Sequence, residues 1–216
     1  MISVAIPYVI MTATAAAAIW RGAPYAAIEF LVLMALWTGV RFYLTWGEDK
    51  AVKEEKDASR ERVLAGLVGV GMALLPCVTL AFPMLDFAMY GALPGQVMAG
   101  ILVGLLGTWV FWCAHRDLGK NWSAHLELRE EHTLITNGIY RRVRHPMYTA
   151  IFLLCAAQAL ILSNWIAGPA GLVFFTLLYV TRIGPEEAMM ESQFGDQWRS
   201  YARHTPRLLP RLGTTS

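Results

Sequence analysis

Apolar stretches long enough to cross a membrane alternate with short polar segments along most of the chain. They occupy residues 2–20, 24–46, 63–82, 96–114 and 148–183. A membrane-spanning helix takes about 20 apolar residues. The last stretch exceeds that length and contains Ser163-Asn164, so it predicts two helices in a tight hairpin, the first of them short. The pattern predicts six spans, or five if one N-terminal segment lies in the interface.

Composition places the chain among membrane proteins. Hydrophobic residues make up 56% and charged residues 16% of it, and the mean hydropathy is +0.44. These values are too apolar for an ordinary soluble protein. The net charge is only +2, and the basic residues form no stripe of the kind that binds nucleic acid. The predicted fold class is an all-α, polytopic integral membrane helix bundle.

The basic residues also predict the orientation of the bundle. If loop 47–62 is cytoplasmic, loop 115–147 and the C-terminal tail are cytoplasmic as well. Of the 18 Lys and Arg residues, only Arg21 then lies on the outer side. Such an asymmetry is the positive-inside pattern of membrane proteins. We therefore expect both termini, and any site near these loops, to be cytoplasmic.

The glycines and histidines of the chain indicate neither a nucleotide site nor a metal site. Gly100, Gly104 and Gly107 share roughly one helix face, which predicts close helix packing. Nucleotide binding is not indicated, because no G-x-G-x-x-G follows a strand. Metal ligands on one helix face would lie three or four residues apart, a spacing that the histidines do not show, so no metal site is predicted. The histidines are His115, His125, His132, His145 and His204.

The polar groups best placed for chemistry lie at the edges of the last apolar stretch. Arg144-His145-Pro146-Met147-Tyr148 precedes it, and Glu186-Glu187 follows it. Ionisable residues at membrane depth are costly and are candidates for a functional site. Pro146 favours a helix start and an extended His145. The free N–H groups of such a helix end suit an anionic group.

The second helix of the hairpin carries Arg182 and Glu186, which are four residues apart. If the helix continues across Gly184-Pro185, both side chains project from one face. Pro185 favours a kink or a restart at that point. Apolar residues in the tail then predict an amphipathic helix over residues 186–204. We expect Glu187 to lie on its solvated face.

The three arginines before the hairpin have an alternative interpretation. Arg141, Arg142 and Arg144 could be simple positive-inside anchors at a cytoplasmic helix start, and Arg182 a snorkelling helix end. The sequence is compatible with either role, membrane anchor or site residue, for these arginines.

Several short motifs occur in a characteristic order over residues 118–210. They are Leu-Gly-Lys-x-Trp-Ser from Leu118, His-x-Leu-Ile-Thr-x-Gly-x-Tyr from His132, Arg-His-Pro-x-Tyr, the Glu-Glu pair, Phe194-Gly195, Tyr201 and Arg-Leu-Leu-Pro from Arg207. This series resembles the isoprenylcysteine carboxyl methyltransferase family, which is related to the membrane phospholipid methyltransferases. Thr149 stands in a region where the family often has glycine.

The resemblance implies methyl transfer from S-adenosylmethionine at a cytoplasmic cofactor pocket. The adenosine end would be lined by His132, Thr133, Leu134 and Ile135. The rest of the cofactor wall would comprise Tyr140, His145, Pro146, Met147 and Tyr148. Glu186 would take the polar end of the cofactor, and Arg182 would face the methyl acceptor. Catalytic roles are thereby expected for Arg182, Glu186 and His145, the last as a base only for a thiol or amine acceptor.

The resemblance also divides the chain. Residues 115–216 would form the catalytic region, and residues 1–114, which carry no family motif, could select the acceptor. We expect a lipophilic or lipidated acceptor, most simply a carboxylate, which needs no general base at neutral pH. It would reach the site from the membrane lipid.

A membrane reductase and a non-catalytic membrane protein are the two alternative functions. Membrane sterol reductases, which use NADPH, have a distantly similar Arg-His-Pro-x-Tyr-like segment, but the Glu186-Glu187 pair favours the methyltransferase. A non-catalytic scaffold or a transporter-like protein would leave the group of His145, Tyr148, Arg182 and Glu186 without a purpose.

Overall fold

The computed structural model describes residues 2–22, 25–45, 58–119 and 133–211, and its regular structure there is helical. The helices are α1 (Ile2–Trp20), α2 (Tyr25–Thr45), α3 (Ala58–Gly69), α4 (Leu75–Ala81), α5 (Gln96–Leu118), α6 (Pro146–Leu162), α7 (Ala167–Phe194) and α8 (Asp196–His204). A π-helical turn, Val70–Leu74, joins α3 to α4, and 3-10 turns cover Pro83–Ala88 and Gly138–Arg141. The predicted all-α class is confirmed.

Four helical segments are long and apolar enough to cross a membrane. They are Tyr25–Leu44, Arg60–Ala81, Gln96–Leu118 and Ala167–Phe194. Two shorter apolar helices, Ile6–Trp20 and Pro146–Leu162, complete the bundle. All six apolar segments predicted from the sequence are thus helical, and the first helix of the hairpin is short, as expected.

The turn between α6 and α7 forms where the sequence predicts it. Ser163 adopts a left-handed conformation, with φ of 46°. The Asn164 side-chain oxygen accepts hydrogen bonds from the N–H groups of Ile166 and Ala167, each at 2.9 Å. An asparagine in this position satisfies donors that a helix start leaves unpaired. The polar pair therefore ends one helix and begins the next.

Helices α5 and α6 pack closely through the predicted glycine face. A Cβ atom added at Gly100 would lie 2.6 Å from Ile161 Cγ1, and one at Gly107 would lie 3.0 Å from Leu153 Cβ. Only a residue without a side chain allows the two backbones this separation. The contact fixes the position of α6, whose first residues belong to the candidate site.

Helix α7 differs from the expectation for its second half. It does not restart at Pro185 but continues to Phe194, and the chain turns at Gly195, with φ of 51°. Helix α7 packs along α6 and α3, and this packing outweighs the backbone hydrogen bond that an internal proline removes. The helix predicted over residues 186–204 is therefore two helices, and Glu186 and Glu187 belong to α7.

Candidate functional site

The site is built around the start of α6. Pro146 occupies the first turn, as the sequence predicts, whereas His145 before it, with φ of −123° and ψ of 61°, is not in the expected extended conformation. The N–H groups of Arg144 and His145 donate to the carbonyls of Pro206 and Arg207, at 2.8 and 3.0 Å. The Thr149 hydroxyl donates to the Leu208 carbonyl at 2.8 Å. The segment after α8 is thereby held against the first turn of α6.

Glu186 comes from α7 and faces this helix start. The Tyr148 hydroxyl donates to Glu186 Oε2 at 2.6 Å. His145 Nδ1 lies 3.5 Å from Glu186 Oε1. The Glu186 side chain is 25% exposed, so the group is partly open to solvent. Three candidates from the sequence, His145, Tyr148 and Glu186, thus form one group.

Glu187 lies among charged side chains of the protein, not on the solvated face expected for it. Its Oε1 lies 2.7 Å from Arg144 Nη2 and 3.1 Å from His145 Nε2, and its Oε2 lies 2.6 Å from Arg207 Nη2. The side chain is only 15% exposed. The expectation of a solvated Glu187 is wrong, because the arginines and the histidine that neutralise it come from other parts of the chain.

Arg144 is more than a membrane anchor. Its guanidinium also donates to the carbonyls of Ala202 and Thr205, at the end of α8. The Arg144 Cζ atom lies 5.9 Å from the centroid of the Trp198 ring. Arg144 therefore joins α8, the C-terminal segment and Glu187, whereas Arg141 and Arg142 are exposed.

Two opposing effects determine the charge of His145. Burial alone would lower the pKa of its imidazole, but hydrogen bonds and the charges of Glu186 and Glu187 outweigh burial and raise the pKa. A protonated ring donates from both nitrogens at once. His145 is therefore suited to hold the two glutamates in place as a cation.

An aromatic wall continues from this group into the bundle. The ring of Tyr148 lies 5.2 Å from that of Tyr179 and 6.0 Å from that of Phe175, between centroids. Phe152 packs edge-on against both Tyr179 and Phe175, at 5.5 and 4.8 Å. Aromatic faces beside a carboxylate favour a cationic group.

The segment before α6 supplies the other predicted wall. Thr133, Leu134 and Ile135 lie on a non-helical stretch that leads into the 3-10 turn. Tyr140 is buried; its carbonyl accepts a hydrogen bond from Tyr201 at 2.6 Å, and Glu186 acts on it electrostatically. Met147 packs toward α5, against the cluster of Val110, Phe111 and Ala150. His132 lies outside the described residues.

Asp117 fixes this segment and was not anticipated. Its Oδ2 accepts the N–H of Ile139 at 2.8 Å. Gly138 has φ of +56°, and a Cβ atom there would collide with the Asp117 carboxylate. The Asn137-Gly138 turn predicted from the sequence therefore has a definite anchor at the end of α5.

Arg182 lies on the same helix as Glu186 but points toward a different partner. Its Nε lies 3.9 Å from Oε1 of Glu61 on α3. Arg182 also acts electrostatically on Glu186. Sequence reasoning did not anticipate the contacts of Glu61 and Arg207 and placed Glu187 in solvent, since only the fold brings these distant segments together.

The segment that holds the candidate site is similar to known proteins. Residues 99–192 match the isoprenylcysteine carboxyl methyltransferase (ICMT) family. This chain is related to the ICMT family. The matched region contains α6 and both glutamates of α7, so the resemblance drawn from the motifs is confirmed.

Named relatives of the ICMT family cover part of the chain. The protein-S-isoprenylcysteine O-methyltransferase of Schizosaccharomyces pombe is 32% identical over 81 residues, which are 38% of this chain and 34% of the relative. The Arabidopsis thaliana O-methyltransferase B is 28% identical over 51% of this chain and 57% of its own length. The Xenopus laevis enzyme is 31% identical over 51% and 39%. The chain thus spans between a third and three fifths of these relatives.

A solved structure shows the same fold. The eukaryotic intramembrane Ras methyltransferase ICMT superposes with a TM-score of 0.58 at 24% sequence identity, over 84% of this chain and 64% of that one. The alignment extends well beyond the matched family segment, so the N-terminal helices share the ICMT arrangement too.

Proposed function

We propose that the protein is an integral-membrane methyltransferase that uses S-adenosylmethionine and acts on a lipophilic or lipidated acceptor, most simply a carboxylate. The observation that carries this proposal is the Glu186 carboxylate. It is held by Tyr148 and His145 beside an aromatic wall, within the segment that matches the ICMT family. Relatives named as O-methyltransferases of isoprenylcysteine support the same reaction class.

The residues present fit the proposed cofactor. A partly exposed carboxylate can accept hydrogen bonds from its amino group, and the faces of Tyr148 and Tyr179 suit a sulfonium cation. The non-helical Thr133–Leu134–Ile135 stretch offers backbone donors and acceptors for its adenosine end, with His132 before it. Tyr140, Pro146 and Met147 complete the wall around these groups.

The cofactor would supply a methyl group on a cationic sulfur: the acceptor oxygen forms a bond to that carbon as the carbon–sulfur bond breaks, leaving a neutral thioether and a methyl ester. The chain's own contribution is to position the partners, because displacement between well-oriented groups gains most of its rate from proximity. His145 and Tyr148 hold Glu186, and the aromatic wall would help to exclude water.

Arg182 would orient the acceptor. A guanidinium binds a carboxylate through charge-assisted hydrogen bonds, and Arg182 lies four residues before Glu186 on α7. His145 is poorly suited to remove a proton, since both of its nitrogens face glutamates and its pKa is raised. This arrangement favours a carboxylate acceptor, which needs no base, over a thiol or an amine.

The arrangement of the chain follows from these roles. Residues 115–216 would form the catalytic region, and residues 1–114 would contribute to acceptor selection. The site and both termini would face the cytoplasm, where a lipidated acceptor is reached from the inner leaflet.

The deciding experiment is thermal unfolding of the purified protein in detergent, with S-adenosylhomocysteine or NADPH. A ligand at about 100 times its dissociation constant adds about 2.7 kcal/mol of stability. We expect S-adenosylhomocysteine alone to raise the melting temperature, and Glu186→Ala to abolish that shift. Glu191→Ala, which changes an exposed carboxylate on the same helix, is the matched control and should keep it.

The other outcomes are equally informative. A shift with NADPH alone would replace the methyltransferase by a reductase, and no shift with either ligand would favour a non-catalytic scaffold. If Glu186→Ala binds S-adenosylhomocysteine as the parent does, Glu186 has no place in the cofactor site.

A further inference from the structure

Among the described residues of the N-terminal half, Glu61 brings a charged side chain to the candidate site. Glu61 lies in the first turn of α3, outside the segment that matches the ICMT family. Its Oε1 lies 3.9 Å from Arg182 Nε, and the two side chains are 29% and 23% exposed. The pair connects α3 to α7 at the level of the site.

Glu61 belongs to the same electrostatic group as the proposed cofactor residues. The charges of Glu61 and Arg182 both interact with the Tyr148 hydroxyl. The positive charge of Arg182 also interacts with the Glu186 carboxylate. The Glu61 carboxylate on α3 thus lies beside Arg182, the residue proposed to bind the acceptor. It has the same chemical nature as the proposed acceptor group.

The long distance between Glu61 and Arg182 indicates a weak ion pair that another carboxylate can displace. At 3.9 Å the two atoms are farther apart than in a hydrogen bond. Partly exposed ion pairs of this kind are weak. By contrast, the contacts of Glu187 with Arg144 and Arg207 are 2.7 and 2.6 Å long and hold the fold together.

We propose that Glu61 is an affinity-determining residue for the acceptor, which occupies Arg182 until the carboxylate of an acceptor takes its place. This inference rests on the proposed function, in which Arg182 binds the acceptor. Exchange of one carboxylate for another keeps the arginine paired throughout. A neutral acceptor offers no charge to replace Glu61 and leaves Arg182 with Glu61, so Glu61 weakens the binding of a carboxylate acceptor and not that of a neutral one.

The inference predicts competition between Glu61 and the acceptor. In the Glu61→Gln variant, the KM for an N-acetyl S-prenyl cysteine should fall about fivefold, which corresponds to the loss of one weak ion pair. The inhibition constant of the matching neutral carboxamide should stay within about twofold of the parent value, because it does not use the charge of Arg182. A purely structural role for Glu61 would change both ligands alike.

Two controls isolate the contact. Glu191→Gln removes a carboxylate that pairs with Arg199 on the exposed side and should leave both constants unchanged. In an Arg182→Ala background, Glu61→Gln should produce no further fall in KM, since the two changes act on one pair. The affinity for S-adenosylhomocysteine reports whether each variant is folded.

The outcomes separate this inference from the proposed function. If the parent binds S-adenosylhomocysteine and turns over the prenyl cysteine but Glu61→Gln leaves its KM unchanged or raises it, the role given to Glu61 is wrong and the methyltransferase stands. If the parent neither binds nor turns over, the proposed function fails, and this inference fails with it.

Discussion

Two adjacent glutamates on α7 have different tasks because neighbouring residues on a helix project about 100° apart. Glu186 points toward Tyr148 and the partly open side of the site. Glu187 points toward Arg144, His145 and Arg207 and binds the C-terminal segment. One residue is therefore available to a ligand, while its neighbour is engaged by the protein.

Glu187→Gln should destabilise the protein and disorder the segment after α8. The change leaves Arg144 buried without a counter-charge and His145 with Glu186 alone, and removing one partner of a buried ion pair costs about 3 kcal/mol. The measurement is the melting temperature in detergent. Glu191→Gln, whose side chain is 49% exposed, should cost less than about 1 kcal/mol. Equal melting temperatures for the two variants would show that the Glu187 contacts are unimportant.

His145 should make stability depend on pH. Because its pKa is raised in the folded state, the folded protein holds a proton that the unfolded chain releases. That contribution is complete below the ordinary pKa of histidine and is lost as pH rises through the raised pKa. We expect the melting temperature of the parent to fall as the pH rises from the ordinary histidine pKa through the raised one, and His145→Gln to show a smaller fall. Parallel curves for the two proteins would assign the dependence to another group.

At the scale of elements, local signals were sufficient where one residue determines the backbone. Pro146 predicted the start of α6, and Ser163-Asn164 predicted its end. Pro185 was misleading, since packing on α6 and α3 carries α7 through it. Glu61 and Arg207 could not be placed in advance, because their positions depend on how α3 and the C-terminal segment pack on α7.

The glycine face between α5 and α6 gives a prediction at this scale. Gly100→Ala places a Cβ atom 2.6 Å from the buried Ile161, and overpacking of this kind costs about 1–3 kcal/mol. Gly66→Ala adds the same atom at an exposed position of α3 with nothing within 4 Å. We expect only Gly100→Ala to lower the melting temperature. A similar effect of both changes would mean that helix propensity, and not packing, is measured.

At the scale of the whole molecule, the distribution of charge predicts its orientation. Among the described residues, Arg21 is the basic side chain at the end of the bundle opposite the site, and Asp86 pairs with it at 2.8 Å. The site end carries Arg144, Arg182 and Arg207. Basic side chains of the described residues thus lie mostly at the site end, and the positive-inside rule predicts that this end faces the cytoplasm.

Labelling of single cysteines in sealed right-side-out vesicles tests this orientation. Ala92→Cys adds an exposed thiol at the far end, and Ser200→Cys adds one on α8. The parent is the blank, because Cys77, Cys113 and Cys155 lie within helices of the bundle. A membrane-impermeant maleimide should label Ala92→Cys directly and Ser200→Cys only after permeabilisation. The reverse pattern would put the site outside the cell, out of reach of cytoplasmic S-adenosylmethionine, and would contradict the proposed cofactor together with the orientation.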